Sequence, residues 1–186
     1  KAVLNAAVHL PLVLPPVVTG YLLLLAFGRT APLGRALNAL GIQLAFHWTG
    51  AVLAAMIMGF PLMVRAMRLA IEAVDPKLED TAATLGAPRA MVFFRVTLPL
   101  ILPGVLAGTV MGFAKAMGEF GATITFVANI PGQTQTLPSA IWAALQIPGG
   151  ERQAVMMVLM ASTVAIGAVL LSELLAKRVA ARIAGA

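Results

Sequence analysis

The 186-residue chain has no cysteine, two histidines and one tyrosine, and only 11% of its residues are charged. Without cysteine there is no disulfide, no thiol chemistry and no cysteine-based metal site. His9 and His47 stand apart, with no carboxylate or second histidine at helical spacing, which argues against any other metal site. Ser139, Ser162 and Ser172 lack a G-x-S-x-G setting and a nearby base, which argues against an enzyme of the hydrolase type. No phosphate-binding Walker loop is present, so any use of ATP requires a separate chain. No charged start with a cleavage site marks a signal peptide, and residue 1 is Lys; the chain reads as a fragment or trimmed domain.

Apolar residues make up 60% of the chain. Soluble domains carry about 25% charged residues, so this composition points to the bilayer as solvent. The net charge of +6 would suggest nucleic acid in a soluble protein, but the cations sit in the loops between apolar runs, which points to membrane topology instead. Four spans are predicted, over 10–27, 49–67, 98–117 and 154–175, each near the ~20 residues that cross a hydrocarbon core. Pro11, Pro15, Pro16, Pro61, Pro99 and Pro103 predict kinks, and broken helices at membrane depth fit a transporter better than an anchor. Placing the 71–97 loop in the cytoplasm puts Lys1, Arg65, Arg68, Lys77, Arg89, Arg95, Lys177, Arg178 and Arg182 inside. Arg29, Arg35 and Arg152 stay outside, a positive-inside pattern. The 119–152 segment reads as an irregular or re-entrant outer element that closes with a short helix from Leu137, with turns at the Pro-Gly pairs 131–132 and 148–149.

The 71–97 loop is polar between two apolar runs. Asp75-Pro76 suits a helix start, Glu79 and Asp80 favour the positive end of its dipole, and Gly86 with Pro88 ends it. Ala82, Ala83 and Leu85 give it a compact apolar face. Such a helix suits either the membrane surface or a cleft on a partner. Its spacing resembles the cytoplasmic EAA loop of ABC importer permeases: Asp80-Thr81-Ala82 at E-A-A, Gly86 at the glycine, Val96-Thr97-Leu98-Pro99 at the close. The stretches HLPLVLPPVVTGYLLL (9–24), FPLMVRAMRLAIEAVDPKLE (60–79) and FAKAMGEFGATITFVANIPGQTQTLPSAIW (113–142) resemble molybdate ABC-transporter permeases. The resemblance implies an all-α, type I importer transmembrane domain in the bacterial inner membrane, with at least one more span before residue 1. It further implies a homodimer in membrane lipid, two cytoplasmic ATPase subunits that bind the ATP and Mg, a periplasmic molybdate-binding protein, and no cofactor on this chain. In that family the loop helix (Glu79, Asp80, Thr81, Ala82, Ala83, Leu85, Gly86) couples ATP-driven closure to the spans. Sulfate and thiosulfate permeases share the plan, so the expected cargo is molybdate or tungstate, with sulfate, thiosulfate or another oxyanion as the alternative.

Three further sets of residues bear on function. Gly104, Gly108 and Gly112 form GxxxGxxxG, which lets helix backbones approach and serves packing or a sliding face. Lys115 and Glu119 lie four apart near the outer end of their span, as an ion pair or as a gate with Gly118, Phe120 and Gly121. Thr123, Thr125, Asn129 and residues 133–136 supply neutral donors, for a pathway or an ordinary solvated loop. The nearly charge-free span interiors argue against an ion-coupled carrier. Trp48 and Trp142 suit the outer membrane boundary.

Overall fold

The computed structural model describes residues 2–184, with side chains described for 3–178. Among these residues every regular element is helical: α1 Ala2–Val13, α2 Pro16–Phe27, α3 Pro32–Ala39, α4 Trp48–Glu72, α5 Pro76–Thr84, α6 Arg89–Val92, a π-helical turn Phe93–Thr97, α7 Leu98–Met117, α8 Gly121–Val127, α9 Leu137–Leu145 and α10 Glu151–Ala184. Three stretches, Trp48–Glu72, Arg89–Met117 and Glu151–Arg178, are long and apolar enough to cross a membrane.

The helices refine three of the expected bounds. The run over 10–27, expected to kink at its prolines, belongs to a bent pair: Val3–Val13 and Pro16–Phe27 are two helices bent by 115°. Pro15 and Pro16 remove two amide donors in succession, and a helix does not continue through them. Between residues 71 and 97 the expected capped helix is present as α5, and helix also extends in from both sides. Helix α4 runs to Glu72, and α6, the π turn and α7 form one 29-residue helix from Arg89. In the 119–152 segment α9 occupies 137–145, the short helix expected from Leu137, and α8 at 121–127 is an unexpected one. Helix α9 begins with a capping box between Thr136 and Ser139.

Contacts divide the chain into two units. In the first, formed by Lys1–Pro61 and Gly112–Ala165, α8 lies against α2. A Cβ on Gly20 would stand 2.5 Å from the Ala122 carbonyl oxygen, and one on Gly121 would stand 2.8 Å from Pro16 Cβ. Only glycine permits this approach. It buries Ala122, Phe126 and Val127 with Leu23, Ala45, Ala54 and Met58. Phe126 is fully buried, as are Ala122 and Val127, so this junction is held by close packing. In the same unit α4 and α7 approach at Gly59 and Gly112, where a Cβ on Gly59 would lie 2.7 Å from the Gly112 carbonyl oxygen.

In the second unit, Leu62–Met111 with Ile166–Ala186, the rest of the glycine stripe meets α4. A Cβ on Gly104 would lie 2.3 Å from Ala70 Cβ, and one on Gly108 would lie 3.0 Å from Ala66 Cβ. Within this unit Gly104 and Gly108 of α7 are thus fitted to Ala70 and Ala66 of α4.

A capped polar helix and a break in a membrane helix

Helix α5 is stopped at both ends by its own sequence. The Asp75 side chain accepts from the Lys77 amide at 3.0 Å, and Pro76 opens the helix. Gly86 takes φ +86°, its amide donates to Ala83 O at 3.0 Å, and the Ala87 amide reaches back to Ala82 O at 3.2 Å. This paired closure requires positive φ at the residue after the cap. The Thr81 hydroxyl is turned inward along the helix, donating to Lys77 O at 2.7 Å. No residue of α5 is buried. Leu85 is 84% exposed and Leu78 47%, while Asp80 and Ala83 are also open and Ala82 is half-buried. Leu78 was not singled out from the sequence; its spacing of four and seven to Ala82 and Leu85 is the helical signal that marks it.

Glu79 departs from the rest of the helix. It is half-buried and accepts a hydrogen bond from the Thr97 hydroxyl, 18 residues away in the π turn. Between α5 and the following helix lies a cleft of about 330 Å3, lined among others by Asp80, Ala83, Arg89 and Phe93. Glu79 and Asp80, neighbours in sequence, therefore differ in setting: one is tied to Thr97 and the other is exposed along the cleft.

At its far end α7 stops at Met117, and Gly118, Glu119 and Phe120 separate it from α8. Glu119 is central to this break. Lys115 Nζ donates to Glu119 Oε2 at 3.0 Å, and the Ala122 amide donates to Glu119 Oε1 at 2.8 Å. The Glu119 side chain is 1% exposed and that of Lys115 30%. A carboxylate buried this far requires such partners. It has them at both oxygens, and it holds the first turn of α8 against the end of α7. Lys115→Met would leave the carboxylate buried without its cation. The expected loss of stability is about 3 kcal/mol, the low end for breaking a buried pair from one side. Glu119→Gln keeps acceptor and shape and should lose less; unfolding midpoints in detergent measure both.

The neutral donors are largely committed to the chain itself. The Thr123 hydroxyl donates to Phe120 O at 2.9 Å and that of Thr125 to Gly121 O at 2.8 Å. Thr134 accepts from the Ile130 amide at 3.0 Å and donates to Ala128 O at 3.3 Å. Asn129 donates to Ser139 O at 3.5 Å, and its Oδ1 is buried without a partner. Phe120 stacks at a tilt on Trp142, ring centres 5.9 Å apart.

Comparison with known proteins places these features in a family. Over 178 residues the chain is 57% identical to the molybdenum transport system permease protein ModB of Escherichia coli (strain K12), covering 95% of this chain and 78% of that protein. It is 54% identical over 179 residues to the protein of the same name from Haemophilus influenzae, covering 96% and 78%. It is 43% identical over 137 residues to the chloroplastic sulfate permease 2 of Chlamydomonas reinhardtii, covering 74% and 37%. The family model described as binding-protein-dependent transport system inner membrane component matches residues 1–185. An all-helical chain with several membrane-length apolar helices is what such a component requires, and the chain belongs to this family of multi-pass inner membrane transport proteins.

Proposed function

We propose that the chain is the membrane-spanning permease subunit of an ATP-driven importer for molybdate. It would act as a homodimer with two cytoplasmic ATPase subunits and a periplasmic molybdate-binding protein. The observation that carries the substrate is the 57% identity over 95% of the chain to a permease named for molybdenum transport. The coupling role of Glu79–Gly86 is supported by α5 itself, a helix closed by its own caps that buries none of its residues and exposes Leu78 and Leu85. Apolar side chains left open on a short polar helix fit a cleft on a partner protein.

In this reading ATP-driven closure of the ATPase pair displaces α5. The displacement enters the continuous helix Arg89–Met117, which ends at the Lys115–Glu119 pair and the Gly118–Gly121 break. Glycines at 118 and 121 allow the chain to bend there, and the ion pair holds one of the two arrangements of an alternating pathway. The ion pair belongs to the gate rather than to the anion's path, because a buried carboxylate repels a dianion.

The test is uptake by the full-length permease in liposomes with its ATPase and binding protein. ATP-dependent molybdate uptake that tungstate competes away and sulfate does not is the expected result. Strong sulfate competition would move the substrate to sulfate, a reading favoured by the 43% identity to a sulfate permease. Uptake indifferent to ATP would overturn the importer reading.

A further inference from the structure

A helix that delivers force must be attached to what it moves, and α5 has little apolar attachment. None of its residues is buried, and the link that follows contains Gly86 at φ +86°, with open space where a Cβ would stand. Among the described residues, one side-chain hydrogen bond joins α5 to the helix after it, from Thr97 Oγ1 to Glu79 Oε1. Thr97 is 5% exposed, while Glu79 is half-buried at the edge of the cleft. A hydrogen bond to a carboxylate is roughly twice as strong as one between neutral groups.

The position of Thr97 is itself unusual. It closes the π turn, in which the Leu98 amide donates to Phe93 O, five residues back. A π turn widens the helix and shifts the angular position of every residue after it, and such turns concentrate where helices work. Arg95 and Val96, its neighbours in the turn, are exposed and half-buried, whereas Thr97 is enclosed on the α5 side of its helix.

We propose that Glu79 and Thr97 form a strut that fixes α5 to the foot of the α7 helix. A displacement of α5 is then passed into the membrane helix instead of being absorbed by bending at residues 85–88. Glu79 and Thr97 are positioning residues in this scheme, with Glu79 acting inside the chain and Asp80 left to face the partner. The proposal rests on the importer reading above and deepens it by assigning the connection.

The experiment measures ATP hydrolysed per anion taken up by the full-length permease with its ATPase and binding protein. Thr97→Val and Glu79→Ala should each raise that ratio about fivefold or more, as loss of a hydrogen bond to a charged group implies. The double variant should be no worse than either single one, because one bond is lost in all three. Thr97→Ser and Glu79→Gln keep a donor and an acceptor and should recover tight coupling. If Thr97→Val couples normally while Glu79→Gln fails as badly as Glu79→Ala, Glu79 acts by its charge on the ATPase and the strut is wrong. Should the wild type show no ATP-dependent uptake, the importer reading fails on its own. The strut is then judged on purified permease carrying nitroxide labels at the exposed positions Thr84 and Phe94. These 186 residues hold no cysteine to compete for label, and any cysteine elsewhere in the full-length permease is first replaced by serine. A distance distribution broadened by Thr97→Val and restored by Thr97→Ser supports the strut, and one unchanged by Thr97→Val overturns it.

Discussion

Gly20→Val is expected to abolish accumulation of folded protein, whereas Gly167→Val should be tolerated. Both glycines lie within helices of an apolar chain, and sequence alone gives no reason to separate them. Their surroundings do. A Cβ on Gly20 would meet the Ala122 carbonyl oxygen at 2.5 Å, Ala122 Cα at 2.8 Å and Thr125 Cβ at 2.9 Å. Two of these are backbone atoms, which cannot rotate away. Valine would force α2 and α8 apart and open the core around the fully buried Phe126. Overpacking costs about 1–3 kcal/mol where side chains can yield, and more where they cannot, so a loss of at least about 3 kcal/mol is expected. At Gly167 nothing lies within 4 Å of the added atom, and the change should stay within about 0.5 kcal/mol. The yield of monodisperse permease after detergent extraction, with its unfolding midpoint, measures both. Equal yields would mean that the α2–α8 junction is not a close backbone contact.

Gly86→Pro should reduce ATP-driven uptake about tenfold or more and leave membrane insertion intact. Proline fixes φ near −65°, against +86° here. It also removes the amide that donates to Ala83 O, and displaces the Ala87 amide from Ala82 O. Helix α5 then loses its terminus and the direction in which the chain leaves it. Gly86 is exposed and clear of neighbours, so the membrane helices keep their packing. Gly86→Ala, at about 1–2 kcal/mol for an L-residue in left-handed geometry, should fall between the two. Uptake into liposomes, normalised to inserted permease, separates coupling from insertion. Normal uptake by the proline variant would remove α5 from the coupling path.

Some of this was legible in the sequence because local chemistry decides it. Asp75-Pro76 and Gly86 punctuate α5 through backbone rules that hold in any setting, and the helix runs between them. The apolar runs after Trp48, Leu98 and Ala154 became membrane-length helices because composition and length suffice for that. Other features depend on partners distant in the chain. The Thr-Ile-Thr-Phe-Val stretch is rich in β-branched residues, which disfavour helix, yet it forms α8 because Gly20 lets it pack on α2. The Arg89–Thr97 stretch read as loop because its arginines and Leu98-Pro99 resemble a boundary. A π turn instead carries the helix through, and nothing in the local pattern announces it. The Glu79–Thr97 bond spans 18 residues and follows no helical period, so no spacing argument reaches it. The Lys115–Glu119 pair did follow such a period, whereas its further tie to the Ala122 amide depended on α8 being a helix.

The bent first pair bears on how the protein is made. Helix α2 has 12 residues, about 18 Å of length, well short of a hydrocarbon core of about 30 Å. Its glycine face fits α8, and Ala122 follows Gly20 by 102 residues (122 − 20). At roughly 5–20 residues per second of synthesis, α2 waits on the order of ten seconds for the surface it was shaped to meet. Through that interval its closest-fitting face rests on lipid or on the insertion machinery. This close backbone junction of the first unit is therefore one of the later ones to close as the chain is born.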